Sequence, residues 1–253
     1  MSDARTVVVT GASSGVGASI AAAFGALGWR VAIGARRSDR LAETATAITA
    51  AGGVAFAHVL DVTSPESVDA FFAAVESELG AADVVINNAG VGIPGRIHEL
   101  AVADLERELA TNLLGPMLVT RRALSVMLEK RFGDVVFISS MNAVAPRPFQ
   151  VGYTAAKAGV EGLAQALRMD LEGTGVRTVI LRLGPTFSEF GLGWDSDVLL
   201  GVIEAWQRWG FMRHMGMLDS ARVAEAVVAA VTAARGVQFD VIQINPEAPL
   251  SEK

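Results

Sequence analysis

Residues 6–20 read TVVVTGASSGVGASI, and this stretch decides the fold of the chain. Five β-branched residues favour a strand, and a helix is predicted to begin near Val16. Between them, Gly11, Gly15 and Gly17 allow a tight turn and let a bulky anion approach the backbone. The unpaired N–H groups and the positive dipole end of the helix suit a pyrophosphate. The stretch therefore predicts a nucleotide site; the alternative is a glycine turn that serves packing alone. Because no lysine follows the last glycine, the stretch is not a Walker A loop.

The same alternation of strand and helix continues along the chain. Short apolar runs predict seven strands, at residues 6–10, 30–35, 54–60, 83–88, 134–140, 177–183 and 239–245. Amphipathic segments predict helices at residues 16–27, 38–51, 65–79, 101–130, 153–172 and 219–234. The strands are continuously apolar, which is typical of strands covered on both faces, and parallel strands need crossover helices. The pattern predicts an α/β fold, a parallel sheet with helices on both faces. The alternation of strand and helix is interrupted only at residues 186–215.

Length, charge and composition narrow the class of protein. With 253 residues, 51% of them hydrophobic, the chain fits one domain over residues 1–253. The net charge of −6 argues against nucleic acid or an anionic membrane as partner, and no apolar run is long enough to span a bilayer. The first strand leaves no room for a signal peptide, and the absence of cysteine excludes disulfides and thiol chemistry. We expect a cytoplasmic protein without a metal site, since His58, His98 and His214 lack ligand spacing.

The end of the second predicted strand indicates which dinucleotide binds. A pocket that prefers NAD places a carboxylate there, to bind the ribose hydroxyl groups. Here Ala35 stands at that position and is followed by Arg36 and Arg37. Guanidinium groups suit the 2′-phosphate of NADP(H), and Ser13 in the glycine turn could donate to the same phosphate. We therefore predict NADP(H) rather than NAD(H) as cofactor; the alternative is two solvated arginines at the start of a helix.

The only tyrosine of the chain, Tyr153, lies four residues before Lys157 in VGYTAAKAGVEGLAQALR, residues 151–168. A phenol with a pKa of about 10 is a poor acid and base at neutral pH. Residues i and i+4 share a helix face, and a neighbouring ammonium group lowers the pKa of a phenol. The spacing predicts an activated tyrosine, although such pairs also occur on plain helix surfaces. Ser140 ends the fifth predicted strand, and residues 87–90 end the fourth, at the edge where ligands of parallel sheets collect.

Five motifs in one order carry a resemblance to a known family. They are TGASSGVG at residues 10–17, NNAG at 87–90, Asn112 in TNLLGP, Ser140, and Tyr153-x-x-x-Lys157. With them the chain resembles the short-chain dehydrogenase/reductase family over nearly its whole length. The resemblance implies a Rossmann-like, doubly wound parallel sheet of seven strands, and hydride transfer between NAD(P) and a carbonyl or alcohol group. It also implies a cofactor half near residues 1–150, followed by a catalytic helix and substrate loop near residues 151–218.

The resemblance also assigns roles to individual residues. Tyr153 would give a proton to the carbonyl oxygen, Ser140 would orient that oxygen, and Lys157 would bind the nicotinamide ribose and lower the pKa of the tyrosine. Asn112 would hold a water molecule that links the lysine to solvent, and Asp61 would contact the adenine. The expected cofactor-binding residues are Gly11, Ser13, Ser14, Gly15, Val16, Gly17, Arg36, Arg37, Asp61, Val62, Asn88, Ala89, Gly90, Tyr153, Lys157, Gly184, Pro185, Thr186 and Ser188.

One stretch departs from the family pattern. After the sixth strand the family usually reads P-G-x-V-x-T, whereas residues 183–188 of this chain read LGPTFS. The glycine is in place, leucine replaces the proline, and serine stands at the threonine position. Backbone and hydroxyl groups of this stretch normally receive the nicotinamide carboxamide. Because Ser188 can still hydrogen-bond, we expect the cofactor to bind with altered contacts.

Residues 191–216 fall where the family keeps its substrate loop, and they hold three of the four tryptophans. Such a lining favours an apolar or aromatic ketone or alcohol; the alternative is that these side chains pack a lid or form a subunit contact. The expected substrate-binding residues are Ser140, Asn142, Val144, Phe149, Tyr153, Phe187, Trp194 and Trp206. Family members commonly associate through the helix that carries the tyrosine, so the resemblance also implies a homodimer or homotetramer.

Two other classes of function remain as alternatives. An epimerase or dehydratase with a tightly held dinucleotide would resemble extended relatives, which the short C-terminal part of this chain disfavours. A dinucleotide-sensing protein without chemistry would not need Asn112, Ser140, Tyr153 and Lys157 together. The prediction is therefore an NADP(H)-dependent oxidoreductase that acts on a hydrophobic carbonyl or hydroxyl compound.

Overall fold

A computed structural model describes residues 4–191, 193–211 and 214–249 of the chain. Within these ranges the strands are β1 Thr6–Thr10, β2 Arg30–Ala35, β3 Val54–Val59, β4 Val84–Asn87, β5 Gly133–Ser140, β6 Val176–Leu183 and β7 Val241–Ile244. The α-helices are α1 Gly15–Ala26, α2 Ser38–Ala50, α3 Pro65–Leu79, α4 Val102–Leu109, α5 Gly115–Lys130, α6 Val151–Asp170, α7 Ser196–Arg208 and α8 Ser220–Thr232. Each predicted strand is present, and its ends lie within two residues of the prediction.

The strands form one parallel sheet in the order β3-β2-β1-β4-β5-β6-β7. Neighbouring residues of β1 are buried on opposite faces of this sheet. Val7 and Val9 pack in the apolar cluster that includes residues of α1, α2 and α8. Val8 packs in the cluster that includes residues of α3, α5 and α6. The predicted doubly wound sheet with helices on both faces is confirmed, and the strand order reverses between β1 and β4, where such sheets bind ligands.

Two segments differ from the prediction. The helix predicted over residues 101–130 is divided into α4 and α5 by a π-helical turn at Ala110–Leu114, which buries Asn112. Turns of this kind are frequent at functional sites. Within residues 186–215, where the strand and helix rhythm breaks, the chain forms α7. The carboxylate of Asp195 caps this helix by accepting the N–H groups of Asp197 and Val198.

Two features that would change the class of protein are absent from the described part of the chain. None of its helices combines the length and the apolar character that crossing a membrane requires. Its His, Asp and Glu side chains, taken over the same residues, form no group of three that could hold a metal ion.

Candidate active site

The glycine turn between β1 and α1 is held by the carboxyl end of β4. Gly11 has a φ of +66°, and a Cβ atom on it would lie 2.7 Å from the Cα atom of Ala89. A Cβ atom on Gly17 would lie 2.5 Å from the carbonyl oxygen of Gly11. The side-chain amide of Asn88 donates to the carbonyl oxygens of Thr10 at 2.9 Å and Gly11 at 3.2 Å. The turn therefore has no room for side chains at these positions, and Asn88 fixes its backbone.

The first turn of α1 presents backbone donors next to the glycine turn. The helix begins at Gly15, whose φ is +53°, and its N-cap residue Ser14 makes no side-chain capping hydrogen bond. The first N–H groups of a helix have no partner within the helix. Val16 packs against the core and so anchors this end of α1. An anionic group placed on the turn would meet these N–H groups and the positive end of the helix dipole.

Of the two arginines after β2, Arg37 is the one that reaches the glycine turn. Its Nη2 atom donates to the hydroxyl oxygens of Ser13 at 2.9 Å and Ser14 at 2.8 Å. Its Nη1 atom lies 2.9 Å from Oε2 of Glu189, a residue that no sequence pattern indicated. Hydrogen bonds from Ser14 and Arg37 hold the pKa of Glu189 below its usual range. Arg37 therefore binds a carboxylate at the place predicted for a phosphate, while Arg36 is exposed.

Asp61 and Val62 follow β3, the strand next to β2. The Oδ1 atom of Asp61 accepts the N–H group of Thr63 at 2.9 Å and its hydroxyl group at 2.7 Å. These hydrogen bonds lower the pKa of Asp61, and the charge of Arg36 acts in the same direction. Val62 packs against Gly115 at the start of α5, where a Cβ atom would lie 2.8 Å from the valine Cγ2. The carboxylate therefore stays ionised beside the arginines, on the side of the site where the adenine is predicted.

The predicted serine, tyrosine and lysine meet at the carboxyl end of β5. Ser140 ends that strand, and Tyr153 and Lys157 lie one turn apart at the start of α6. The Ser140 hydroxyl group accepts the N–H group of Asn142 at 3.2 Å and is close enough to the phenol of Tyr153 to lower its pKa. The Nζ atom of Lys157 lies 5.6 Å from the centroid of the tyrosine ring and donates to the carbonyl oxygen of Ile138 at 2.8 Å. The lysine side chain is thus held by the strand and lies beside the tyrosine.

Asn112 joins this group from the π-helical turn. Its Oδ1 atom accepts the N–H group of Val91 at 2.9 Å, and its Nδ2 atom donates to the carbonyl oxygen of the same residue at 2.8 Å. A Cβ atom on Gly90 would lie 3.0 Å from this Oδ1 atom and 3.9 Å from Nζ of Lys157. The side chain of Asn112 therefore fixes the loop after β4 against the lysine. Its predicted role in holding a water molecule stays a prediction.

Burial dominates the pKa values of the tyrosine and the lysine. Burial raises the pKa of Tyr153 to about 12, although the nearby hydroxyl group of Ser140 acts in the opposite direction. Burial also lowers the pKa of Lys157 to about 8. Both shifts disfavour the charged form, and Lys157 is not among the groups that lower the pKa of Tyr153. The expectation that Lys157 lowers the pKa of Tyr153 is not met in this structure, because helical spacing sets proximity but not access to water.

Two charged residues beside Tyr153 had no signal in the sequence. Glu108 on α4 is fully buried; its Oε1 atom accepts the N–H group of Ile93 at 2.8 Å, and its Oε2 atom has no partner among the described residues. Burial raises the pKa of Glu108. A Cβ atom on Gly152 would collide with Oε2, so the glycine makes room for the carboxyl group. The charge of Glu108 raises the pKa of Tyr153, and the charge of Arg147 lowers it.

An aromatic cover lies over the tyrosine. The ring centroid of Phe190 is 5.0 Å from that of Tyr153 and 5.7 Å from that of Trp194. The indole N–H group of Trp194 donates to the carbonyl oxygen of Gly92 at 2.9 Å. The Phe190 ring occupies the space that a side chain on Gly92 would need. The structure therefore brings the predicted Trp194 to the site and adds Phe190, which the sequence analysis did not include.

The other predicted substrate-binding residues are divided between the site and its surroundings. Trp206 on α7 donates its indole N–H group to the carbonyl oxygen of Pro148 at 3.1 Å, which ties α7 to the loop before α6. Phe149 lines an outer groove of about 480 Å³ beside α7. Asn142 is buried, and its amide donates to the side chain of Gln150. The remaining two predicted residues, Val144 and Phe187, are exposed.

The stretch that departs from the family pattern runs beside the glycine turn. The hydroxyl group of Thr186 donates to the carbonyl oxygen of Gly184 at 2.9 Å, and the carbonyl oxygen of Pro185 accepts a backbone N–H group at 2.8 Å. A Cβ atom on Gly15 would lie 3.2 Å from the Cβ atom of Ser188. Ser188 therefore lies against the glycine turn, whereas the hydroxyl group of Thr186 is used within its own loop.

An open parallel sheet with a glycine turn, an anion-binding arginine and a Ser–Tyr–Lys group at one edge defines an oxidoreductase that uses a nicotinamide dinucleotide. The sequence profile described as short chain dehydrogenase matches residues 5–196, and the chain belongs to this family. The profile covers the glycine turn, the serine, the tyrosine and the lysine. It ends at the start of α7.

Two curated relatives illustrate the similarity in sequence. A short chain dehydrogenase of Pseudocercospora fijiensis is 35% identical over 195 residues, which are 76% of this chain and 63% of the relative. The 3beta-hydroxysteroid dehydrogenase 1 of Eggerthella lenta is 37% identical over 175 residues, which are 68% of this chain and 67% of the relative. The match therefore spans about two thirds of the length of these proteins.

Two solved structures illustrate the similarity in fold. The alcohol dehydrogenase of Thermococcus sibiricus, complexed with 5-hydroxy-NADP, has a TM-score of 0.84 and 27% identity, and the match covers 99% of this chain and all of that one. A single-residue variant of the actinorhodin polyketide ketoreductase, solved with NADPH, has a TM-score of 0.87 and 30% identity, over 97% of each chain. Both matches extend over nearly the whole of this chain.

Proposed function

We propose that this oxidoreductase transfers a hydride between NADP(H) and a carbonyl or secondary alcohol group of a largely apolar substrate. The observation that carries the proposal is the meeting of Ser140, Tyr153 and Lys157 under an aromatic cover, at the same sheet edge as the glycine turn. Relatives solved with NADP derivatives support the class of cofactor. The anion held by Arg37 supports the preference for the phosphorylated form. We propose that residues 1–253 form one domain that works in the cytoplasm.

The glycine turn, Arg37 and Lys157 would hold a reduced nicotinamide dinucleotide, which would supply the hydride that the carbonyl carbon gains. Tyr153 donates the proton that the carbonyl oxygen gains. Burial raises its pKa to about 12, so at neutral pH the phenol carries the proton that this step needs, while the same shift makes it a weaker acid. Ser140, which lies near the phenol and lowers its pKa, would orient the same oxygen. The ring of Phe190 limits the access of water to the reacting groups.

The replacement Tyr153→Phe tests the chemical part of this proposal. It removes the proton donor and keeps the ring that packs against Phe190. We expect NADPH oxidation with a panel of ketones to fall by about 10²–10⁴-fold, because that is the usual contribution of a general acid. NADPH affinity, measured by fluorescence titration, should stay unchanged. The control Thr154→Val removes the neighbouring hydroxyl group of α6, which has no partner among the described residues, and should retain the activity.

Two outcomes would contradict the proposal. Full activity of Tyr153→Phe would remove the tyrosine from the chemistry. Intact NADPH binding with no turnover of any ketone or alcohol by the wild type would favour a dinucleotide-sensing protein instead.

The preference for NADP(H) has its own test. Charge-assisted hydrogen bonds contribute about 1.5–3 kcal/mol, so Arg37→Asp should weaken NADPH binding about 10- to 100-fold. NADH binding should change little, and Arg36→Asp should act in the same direction as Arg37→Asp. The control Arg222→Gln removes an exposed guanidinium group that pairs with Glu225 on α8. Unchanged NADPH affinity in both aspartate variants would refute the preference.

We also propose that the protein is a homodimer or homotetramer that associates through α5 and α6. The outer face of these helices carries an apolar cavity of about 340 Å³. Its apolar lining includes Met117, Leu124, Leu128, Leu163 and Leu167. A second copy of the chain would cover this surface. Light scattering should give a multiple of 26.4 kDa, and Leu128→Glu should shift the mass towards one chain; a wild type of 26.4 kDa would contradict the proposal.

A further inference from the structure

Arg147 lies in the loop between β5 and α6 and faces α7. Its Cζ atom is 4.8 Å from the centroid of the Trp206 ring, over which the guanidinium group stacks. The indole N–H group of Trp206 is bound to the carbonyl oxygen of Pro148, the next residue of the same loop. The arginine is thus held between the catalytic helix and the helix that follows the aromatic cover.

The guanidinium group of Arg147 has no protein partner in the part of the chain that the structure describes. Its Nε atom is buried without a hydrogen bond, and no carboxylate lies within ion-pair distance of it among those residues. Two other partly buried arginines are paired, Arg177 with Asp134 at 2.6 Å and Arg182 with Glu161 at 2.6 Å. Arg30, at the start of β2 and far from the tyrosine in sequence, also has no ion-pair partner among the described residues. A desolvated cation without a partner is costly, and such groups concentrate at functional sites.

The charge of Arg147 acts on the reacting end of the site. It lowers the pKa of Tyr153, whereas Glu108 raises it, so the guanidinium group lies within electrostatic reach of the phenol. Burial lowers the pKa of Arg147 itself, and no carboxylate offsets this effect. An anionic group of a bound substrate would supply the missing charge.

We propose that Arg147 binds a carboxylate of the substrate, so that the carbonyl substrates of this enzyme are oxo acids with an apolar or aromatic body. The inference rests on the proposed function and narrows its substrate class. The planar guanidinium fork matches the two oxygens of a carboxylate. The Trp206 ring lies against the guanidinium group, and the rings of Phe190 and Trp194 lie at Tyr153, so apolar surfaces are present beside both the arginine and the tyrosine. One arginine balances one negative charge, which suits a carboxylate better than a phosphate dianion.

The first experiment compares aryl oxo acids of increasing chain length with their methyl esters, which keep the ketone and remove the charge. The wild type should reduce the preferred acid with a kcat/KM about 10- to 100-fold above that of its ester, the range expected for a charge-assisted hydrogen bond. Arg147→Met should lower kcat/KM for the acid by this factor and leave the ester nearly unchanged. The control Arg107→Met removes an exposed guanidinium group one residue before Glu108 and should preserve the ratio of acid to ester.

A second measurement does not need turnover. Calorimetric titration with an arylalkanoate, in the presence of NADP, should show binding to the wild type and at least tenfold weaker binding to Arg147→Met, about 1.4 kcal/mol or more. The corresponding arylalkylphosphonate should bind more weakly than the carboxylate. Tighter binding of the phosphonate would overturn the choice of carboxylate.

The outcomes separate this inference from the proposed function. If neutral ketones are reduced but acids have no advantage over esters, the inference fails and the oxidoreductase assignment stands. If Arg147→Met lowers the activity on acids and esters equally, the arginine only holds Trp206 and α7 in place, and the inference fails again. If neither ketones nor acids are reduced while the arylalkanoate still binds through Arg147, the proposed function fails and the carboxylate site stands.

Discussion

At the amino end of the sheet, the buried carboxylate of Asp134 lies among three arginines. Its oxygens are 2.8 Å from Arg5, 2.6 Å from Arg177 and 3.6 Å from Arg235. At the carboxyl end, the buried carboxyl group of Glu108 accepts one backbone N–H group and leaves its other oxygen without a partner among the described residues. Both side chains are at most 1% exposed, so the contrast lies in their pairing and not in their burial.

The difference shows what each end of the sheet does. At the amino end, the carboxylate of Asp134 is paired with arginines, and the ion cluster ties β5 and β6 to the chain before β1. The Nε atoms of Arg5 and Arg30 at this end make no hydrogen bond to the described residues. At the carboxyl end, Arg147 is unpaired among the described residues. Burial raises the pKa of Tyr153 and lowers that of Lys157, and both shifts favour the uncharged side chain. Such unsatisfied groups reduce stability and are kept where a ligand will use them. The predictions below test this contrast at both ends.

The largest effect is expected at the amino end. Asp134→Ala leaves three guanidinium groups without their shared carboxylate, so the free energy of unfolding should fall by about 3–5 kcal/mol. Urea denaturation measures the change, and the activity of the folded protein should persist because the cluster lies away from the site. The control Glu225→Ala breaks an exposed pair with Arg222 and should cost at most about 1 kcal/mol. An equally small loss in Asp134→Ala would mean that pairing does not distinguish the two ends.

The sequence predicted those features that depend on local pattern. The β-branched run before Gly11 and the glycines after it place β1, the turn and α1, because these conformations are set by neighbouring residues. The carboxyl-edge position of Ser140 and the shared helix face of Tyr153 and Lys157 follow in the same way. The prediction of one continuous helix through Asn112 failed, because a π-helical turn leaves no clear periodic signal.

The remaining features depend on contacts between distant parts of the chain. Glu189 meets Arg37 across 152 positions, and no local motif marks such a pair. Glu108 and Arg147 read as ordinary helix and loop residues until the fold surrounds them. The direction of the tyrosine pKa shift was missed for the same reason, since burial is a property of the tertiary structure. The positions of the charged groups around Tyr153 and Arg37 could therefore be found only from the structure.

The second prediction concerns the ionisation of the phenol. Because Tyr153 is the only tyrosine, phenolate absorbance reports this one group. With its pKa at about 12 in the folded protein and about 10 in the unfolded chain, about half of the phenol should be ionised at pH 10 in denaturant but only about one per cent in the native state. Glu108→Gln should lower the pKa in the native state, and Arg147→Met should raise it. Half-ionisation of native Tyr153 at pH 10 would show that the carboxyl end is less sealed than the structure indicates.

A somewhat smaller effect is expected from the lysine. Its pKa is about 8 in the folded protein and about 10.4 in the unfolded chain, so the unfolded chain binds more protons between these values. The free energy of unfolding without cofactor should therefore increase with pH, by about 2 kcal/mol between pH 8 and pH 10. Lys157→Met should lose this increase, as seen in urea denaturation at several pH values. A wild type whose stability is flat over this window would place the lysine in contact with water.

The smallest effect is expected at the surface of the carboxyl end, where Glu189 occupies the arginine predicted to bind the cofactor phosphate. Its negative charge competes with the 2′-phosphate for Arg37 and repels it, so Glu189→Gln should tighten NADPH binding. Both side chains are partly exposed, and exposed pairs contribute at most about 1 kcal/mol, so the gain should be about two- to fivefold. NADH affinity should not change, because NADH lacks that phosphate. Fluorescence titration with both dinucleotides gives the comparison.

The control for this variant is Glu43→Gln, which removes an equal charge from α2 at a residue that pairs with Arg40. Unchanged affinities there would assign the gain to the pair with Arg37 and not to net charge. Weaker binding of both dinucleotides by Glu189→Gln would mean that the carboxylate closes over the cofactor instead of competing with it. Arg37 would then be a permanently paired residue like the arginines of Asp134, and the contrast between the two ends of the sheet would be confined to the buried groups around Tyr153.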